Sequence, residues 1–196
     1  MARPPRPVTP KRGNNQLRII GGQWRSRRLE FPDAPGLRPT PDRVRETLYN
    51  WLAPHIDGAR LLDCFAGSGA LFLEGLSRGA ASGVALELDR AAAASLQANL
   101  QLLKADNAQV HNQDSHGWLS RPASQQFDLV LLDPPFHQDL LQRSCQLLQE
   151  HGWLAEHAIV YTESEQPPSQ LGLPASWQLH REKHTGQVYY TLWHTS

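Results

Sequence analysis

The sequence predicts an α/β fold: a mixed seven-stranded sheet with helices on both faces, preceded by a small basic extension. Three observations predict it. From residue 59 onward, short apolar runs alternate with helical patterns, as a sheet of largely parallel strands requires. A Gly67-Ser68-Gly69 turn joins the first run to the first helix. The last two runs are separated only by His184-Thr185-Gly186, a hairpin that forces at least one antiparallel strand.

The elements follow in order. The stretch "LRIIGGQWRSRRLEF" (17–31) reads as two short strands around Gly21-Gly22, and "TPDRVRETLYNWLAPHI" as a helix. Thr40 is its expected N-cap and Pro41 its first helical residue, with Val44, Leu48, Trp51 and Leu52 on one face. "ARLLDCFA" is a buried strand ending at Asp63, followed by the glycine turn and the helix "ALFLEGLSRG". "SGVALELD", "NAQVHNQD", "FDLVLLD" and "LAEHAIVYTESE" are the next strands, with the helices "RAAAASLQANLQLLKA" and "QDLLQRSCQLLQEHG" after the first and third of them. The closing hairpin completes the seven. The expected divisions are a disordered basic tail over 1–16, an extension of hairpin and helix over 17–56 and the alternating α/β domain over 57–196.

Charge and composition narrow the function. The net charge is zero over 196 residues, yet residues 1–45 hold eleven Lys/Arg against three acids. A basic block before an acidic body points to a polyanionic partner at one end. Arginines interleaved with Leu17, Ile19, Ile20, Trp24, Leu29 and Phe31 imply a folded surface, from which Arg18, Arg25, Arg27, Arg28, Arg43 and Arg45 project toward nucleic acid, with Trp24 available to stack. No apolar run approaches the roughly 20 residues of a membrane span, and the N-terminus lacks the apolar core of a secretory signal. Cys64 and Cys145 read as small buried residues in a reducing compartment, so the expected location is the cytoplasm. The histidines show no metal-ligand pairing, and no metal is expected.

The chemistry lies at the strand ends. In such a sheet a ligand sits at the carboxyl ends of the strands, where the order reverses beside the first one. The glycine turn has no third glycine, since Phe72 stands there, and no lysine to cradle phosphate. Glu87 ends the second strand, placed for the two hydroxyls of a ribose, and Asp114 ends the third, placed for an adenine amino group. Carboxylates without a phosphate cradle suit S-adenosylmethionine, which carries an ammonium and a sulfonium. Asp133, ending the fourth strand, opens onto the same crevice. Its carboxylate and the Pro134 carbonyl can accept both N–H groups of a planar amine. Pro135 stiffens the turn with Pro134, and Phe136 can stack on a base.

"DCFAGSG", "ELD" and "DPPF" resemble the cofactor and amine-site motifs of class I, Rossmann-like methyltransferases. With "RIIGGQWRSRRLEFP" and "RPTPDRVRETLYNWL", the chain is similar from about residue 17 to its end to the RsmD family. These bacterial enzymes methylate N2 of one guanine in 16S (small-subunit) ribosomal RNA. The resemblance implies that Asp63, Ala66, Gly67, Ser68, Gly69, Glu87, Leu88, Asp114 and Ser115 hold S-adenosylmethionine, with Arg38 and Thr40 near the cofactor or substrate. It assigns the target base to Asp133, Pro134, Pro135 and Phe136. A small enzyme with a short basic arm recognises little RNA by itself, so an assembled or assembling 30S particle is the expected substrate, with a monomer as the expected state. Cys64, Phe72 and Phe136 depart from the Leu, Gly and Tyr expected at those positions. Adenine N6 or a protein glutamine as acceptor, and a non-catalytic RNA-binding protein, are the competing readings.

Overall fold

The computed structural model describes residues 15–33, 37 and 39–195. An antiparallel hairpin of β1 (Asn15–Arg18) and β2 (Arg28–Phe31) leads into α1 (Asp42–Leu52). Next come β3 (Arg60–Asp63), α2 (Ala70–Ser77), β4 (Ser82–Leu86), α3 (Arg90–Leu103), β5 (Ala108–His111), α4 (Ser115–Leu119), β6 (Phe127–Leu132) and α5 (Leu140–Glu150). The chain closes with β7 (Leu154–Ser164), β8 (Gln178–Thr185) and β9 (Val188–His194). The seven-stranded sheet has the order β5-β4-β3-β6-β7-β9-β8. The first five of these strands are parallel neighbours, and β9 runs antiparallel to both β7 and β8.

Strand periodicity explains why the central runs are apolar throughout. Alternate side chains point to opposite faces, so a strand covered on both sides has no solvent face. Leu61, Leu129, Leu131 and Tyr161 enter a core shared with α1, α2 and α3, while Leu62, Val130, Leu132 and Val160 enter one built on α4 and α5. The hairpin residues Leu17, Ile19, Leu29 and Phe31 belong to the first core, so the extension and the sheet share one apolar interior.

Several local expectations are corrected. β1 begins at Asn15, inside the span expected to be tail; the rest of that tail, like Arg38, lies outside the described residues. Gly21-Gly22 is not a tight hairpin turn but part of the long loop between β1 and β2, which docks on the end of α2. The Ser77 hydroxyl donates to Gly21 O at 2.6 Å, Gln23 N donates to Ser77 O, and a Cβ on Gly22 would sit 1.8 Å from that carbonyl oxygen. Pro41, not Thr40, occupies the N-cap of α1, and no side chain caps it. The Thr40 hydroxyl is engaged elsewhere, on Asp133. Helix α4 is too short to leave a periodic signal.

Arg45 faces inward, contrary to its expected contact with RNA. It is 1% exposed, and its guanidinium meets Glu74 at 3.3 Å, the Thr40 carbonyl at 3.2 Å and Asp42. Glu74, fully buried on α2, also accepts from Ile20 N, Gly21 N and Arg78 Nε at 2.7–2.9 Å. One carboxylate thus joins the hairpin loop, α1 and α2. Phe72, at the expected third-glycine position, packs where Gly83 of β4 leaves space: a Cβ there would lie 2.7 Å from its ring. Gly75 instead provides the close approach of α2, since a Cβ on it would meet Leu61 at 2.7 Å and the Tyr49 hydroxyl at 2.9 Å.

Glu74→Ala removes the buried carboxylate partner of the Arg45 guanidinium and leaves two backbone N–H groups without their acceptor. It is expected to destabilise the fold by about 3–5 kcal/mol in urea titration, the cost of breaking a buried ion pair from one side. An unchanged midpoint and slope would show that the clasp contributes nothing.

Candidate active site

The parallel register brings the strand-end acids together. Asp63 pairs with Leu131 across β3 and β6, so Asp133 lies two residues beyond, on the same face. β7 adds a carboxyl that the sequence reading missed: the Leu132–Thr162 pair places Glu163 level with Asp133. The signal was hidden because Glu163 sits in the polar run "YTESE", which resembles a solvated strand end. It is instead buried, and the Tyr161 hydroxyl donates to its Oε1 at 2.9 Å.

The glycine turn is braced from below. Glu87 accepts from Gly67 N and from Asp89 N, both at 2.7 Å, so its carboxylate fixes the turn while remaining half-exposed at the end of β4. Asp63 is 2% exposed and accepts from Phe65 N at 3.1 Å. Gly69 takes φ 78° as the N-cap of α2, and a Cβ there would lie 2.3 Å from Leu96. Both the left-handed conformation and the lack of space demand glycine. Ala66 and Ser68 are buried in the turn, while Leu88 is 71% exposed beyond Glu87, an apolar side chain free to cover a flat ring.

Asp114 lies three residues beyond the end of β5. It caps α4, its side chain accepting from Gly117 N at 2.7 Å, and Ser115 behind it donates to the Cys64 carbonyl. The loop after Asp133 is held tightly: His137 and Asp139 both have positive φ, and Glu165 accepts from His137 N at 3.2 Å. Phe136 at its start is 40% exposed beside the crevice.

The electrostatics follow from crowding acids in an enclosed space. Burial pushes Asp63 up to about 8, the Phe65 N–H pulls it back, and Asp133 and Glu87 push it further up. Enclosure pushes Asp133 up to about 7, against the hydrogen bond from Thr40. Burial and then Asp133 hold Glu163 well above the usual carboxylate range. A site that disfavours its own negative charges is one that gains by receiving a cation. Among the described residues, no group of three or more His, Cys, Asp or Glu side chains is placed to hold a metal ion.

Comparison with known proteins matches this geometry. The family model described as Conserved hypothetical protein 95 covers residues 17–194. Ribosomal RNA small subunit methyltransferase D of Escherichia coli is 54% identical over 181 residues, covering 92% of this chain and 91% of its own length. The Haemophilus influenzae protein of the same name is 48% identical, over 91% of this chain and 93% of its own length. A solved structure from Escherichia coli superposes with TM-score 0.84 at 52% identity, covering 92% of this chain and 98% of that one. The chain belongs to the RsmD family. In this RsmD chain the fold brings "DPPF" and "DCFAGSG" to one crevice, while four of the six described arginines of residues 1–45 lie on the hairpin and its loop. Arg18, Arg25, Arg27, Arg28 and Arg43 are exposed, Arg18 being paired with Asp42 at 3.2 Å, and Trp24 packs partly against the core.

An acid whose pKa is higher in the folded than in the unfolded chain binds extra protons when folded. Its stabilising contribution is therefore complete below the unfolded value and is lost as pH rises through the folded one. With Asp63 at about 8 and Asp133 at about 7 against 3.8, stability without ligand is expected to fall between about pH 4 and 8. Asp63→Asn should flatten this decline and raise the thermal midpoint at pH 8 above that of the wild type. A wild-type midpoint that climbs over this range would refute the assignment.

Proposed function

We propose that this chain transfers a methyl group from S-adenosylmethionine to the exocyclic N2 amine of one guanine of small-subunit ribosomal RNA. In this reading it acts as a cytoplasmic monomer on an assembled or assembling small-subunit particle. The observation that carries the reading is the crevice at the carboxyl ends of β3, β4 and β6. There Asp63, Glu87 and Asp133 converge on a glycine turn, in a chain 54% identical to a ribosomal RNA small subunit methyltransferase.

The residues fit the cofactor. Acids at Asp63 and Glu87 suit an ammonium and ribose hydroxyls and would repel a pyrophosphate. Leu88 covers one face of the adenine. The remaining acceptor oxygen of Asp114 takes the amino group, while the other stays on the α4 cap. When bound, S-adenosylmethionine supplies an electrophilic methyl carbon on a sulfonium.

Asp133 and the Pro134 carbonyl would accept the two N–H groups of the guanine amine and so orient its lone pair toward a bound methyl donor. Positioning of this kind is the main requirement of an in-line displacement. Once the amine accepted the methyl group that a bound cofactor would supply, the nitrogen would have one proton to shed. Asp133, raised to about 7, is matched to receive that proton at neutral pH. The Thr40 hydroxyl holds the carboxylate in place. Phe136 stacks on the extruded base, offsetting part of the cost of unstacking it.

Asp133→Ala is expected to abolish radiolabelled methyl transfer to small-subunit particles while leaving cofactor affinity within a few fold. Glu87→Ala should do the reverse in calorimetry, weakening the cofactor first. Near wild-type transfer by the Asp133 variant would remove that residue from the chemistry. Replacing Arg25, Arg27 and Arg28 together is expected to weaken RNA binding and to flatten its log–log salt dependence by nearly one unit per lost phosphate contact. An unaltered slope would move the RNA surface off the hairpin loop and β2.

A further inference from the structure

Beside the acceptor crevice lies a cavity that methyl transfer itself does not use. It measures about 130 Å³ and is lined by Arg43, Thr47 and Trp51 of α1 and by Tyr161, Lys183 and Tyr190 of the sheet. Its place follows from strand register. Tyr190 pairs with Glu163 on one side and with Lys183 on the other. Glu163 is level with Asp133, so the row Asp133, Glu163, Tyr190, Lys183 crosses the sheet on the face that α1 covers. Tyr190 is thus two strand spacings, roughly 10 Å, from the acceptor carboxylate.

The lining combines rings and cations over the aliphatic side chains of Val44 and Leu48. Trp51 and Tyr190 present half-buried rings, and Arg43 and Lys183 present cations. Lys183 spans the cavity wall, its ammonium donating to Thr47 Oγ1 at 3.1 Å. Among the described residues neither cation forms an ion pair with a carboxylate. The acids on the same row of the sheet, Glu163 and Asp133, are enclosed and held toward their neutral forms. Two uncompensated positive charges beside two aromatic rings match a phosphate and a base, the combination used to hold single-stranded nucleic acid. The volume is small against the roughly 300–1,000 Å³ of pockets for small organic ligands, which suits one ring and not a second cofactor.

We propose that this cavity is a second RNA subsite that receives a nucleotide next to the target guanine, with its base against Trp51 and Tyr190 and its phosphate on Arg43 and Lys183. The proposal rests on the reading of the chain as a ribosomal RNA methyltransferase and extends it from the reacting base to its neighbour. Holding that neighbour splayed from the stack keeps the target base extruded, so the subsite acts on substrate binding and not on the transfer step.

Ultraviolet crosslinking of the full chain to unmethylated small-subunit particles, followed by peptide mass mapping, tests it directly. Nucleotide adducts are expected on the peptides containing Trp51 or Tyr190, and adducts confined to other peptides would overturn it. Lys183→Met, which keeps the apolar stem, and Arg43→Gln, exposed on α1, should each raise KM for particles three- to tenfold. Each should also lower the salt slope of binding by nearly one unit. S-adenosylmethionine affinity, read by calorimetry, should stay within twofold. Unchanged KM and slope in both variants, or a fall in kcat alone, would refute the subsite. So would competition by free guanosine monophosphate as effective as that by RNA oligomers, which would assign the cavity to a free nucleotide. Should the wild type methylate no RNA, the broader functional reading fails, while crosslink position and salt slope still decide the subsite.

Discussion

The buried pair of Arg45 and Glu74 is the constraint on which the geometry of this protein depends. A guanidinium and a carboxylate removed from water are tolerated only when their remaining hydrogen-bonding groups are filled. Here the filling is done by pieces of three separate elements: the hairpin-loop N–H groups of Ile20 and Gly21, the carbonyl of Thr40 before α1, and Arg78 of α2. The chain from Thr40 continues to Asp133 through the threonine hydroxyl. The basic surface of the hairpin is fixed relative to the crevice by the buried pair.

Around the crevice the fold crowds Asp63, Asp133 and Glu163 on one face, with Glu87 bracing the turn beside them. Such an arrangement opposes its own ionisation, and burial raises the first three well above ordinary carboxylates. A positively charged ligand relieves that opposition, which links cofactor binding to the stability of the site itself. The same burial tunes Asp133 toward the pH at which it can both accept a hydrogen bond and take a proton. One physical condition, exclusion of water from a cluster of acids, thus serves binding, orientation and proton transfer together.

Much of this was legible from local pattern. Central strands covered on both faces read as uninterrupted apolar runs, and each ends at an acid because a buried charge is tolerated only where the strand leaves the core. The Gly67-Ser68-Gly69 turn and Asp133-Pro134-Pro135-Phe136 stood out for the same reason: residues that are costly in a strand or helix mark places where the backbone serves a ligand. Where the reading failed, the cause was packing between distant segments. Arg45 carries the same charge as Arg43, two positions away, but stands on the face of α1 that also holds Leu48, Tyr49 and Leu52, and there Glu74 of α2 receives it. Gly22 resembles a turn glycine, but its small size is required by Ser77 of α2. Glu163 looks like a solvated strand end until the closing β9 and α1 cover it.

The sequence by itself determined the element order, the mixed sheet, the strand-end position of its acids and the chemical class of ligand they suit. These depend on periodicity and residue type, which act over a few neighbouring positions. Tertiary structure alone decided which charges face solvent, which acids share a proton-favouring enclosure, and that a cavity between α1 and the closing hairpin adjoins the acceptor. Those properties are set by desolvation and by contacts between residues as far apart as Thr47 and Lys183, where no local pattern carries the information.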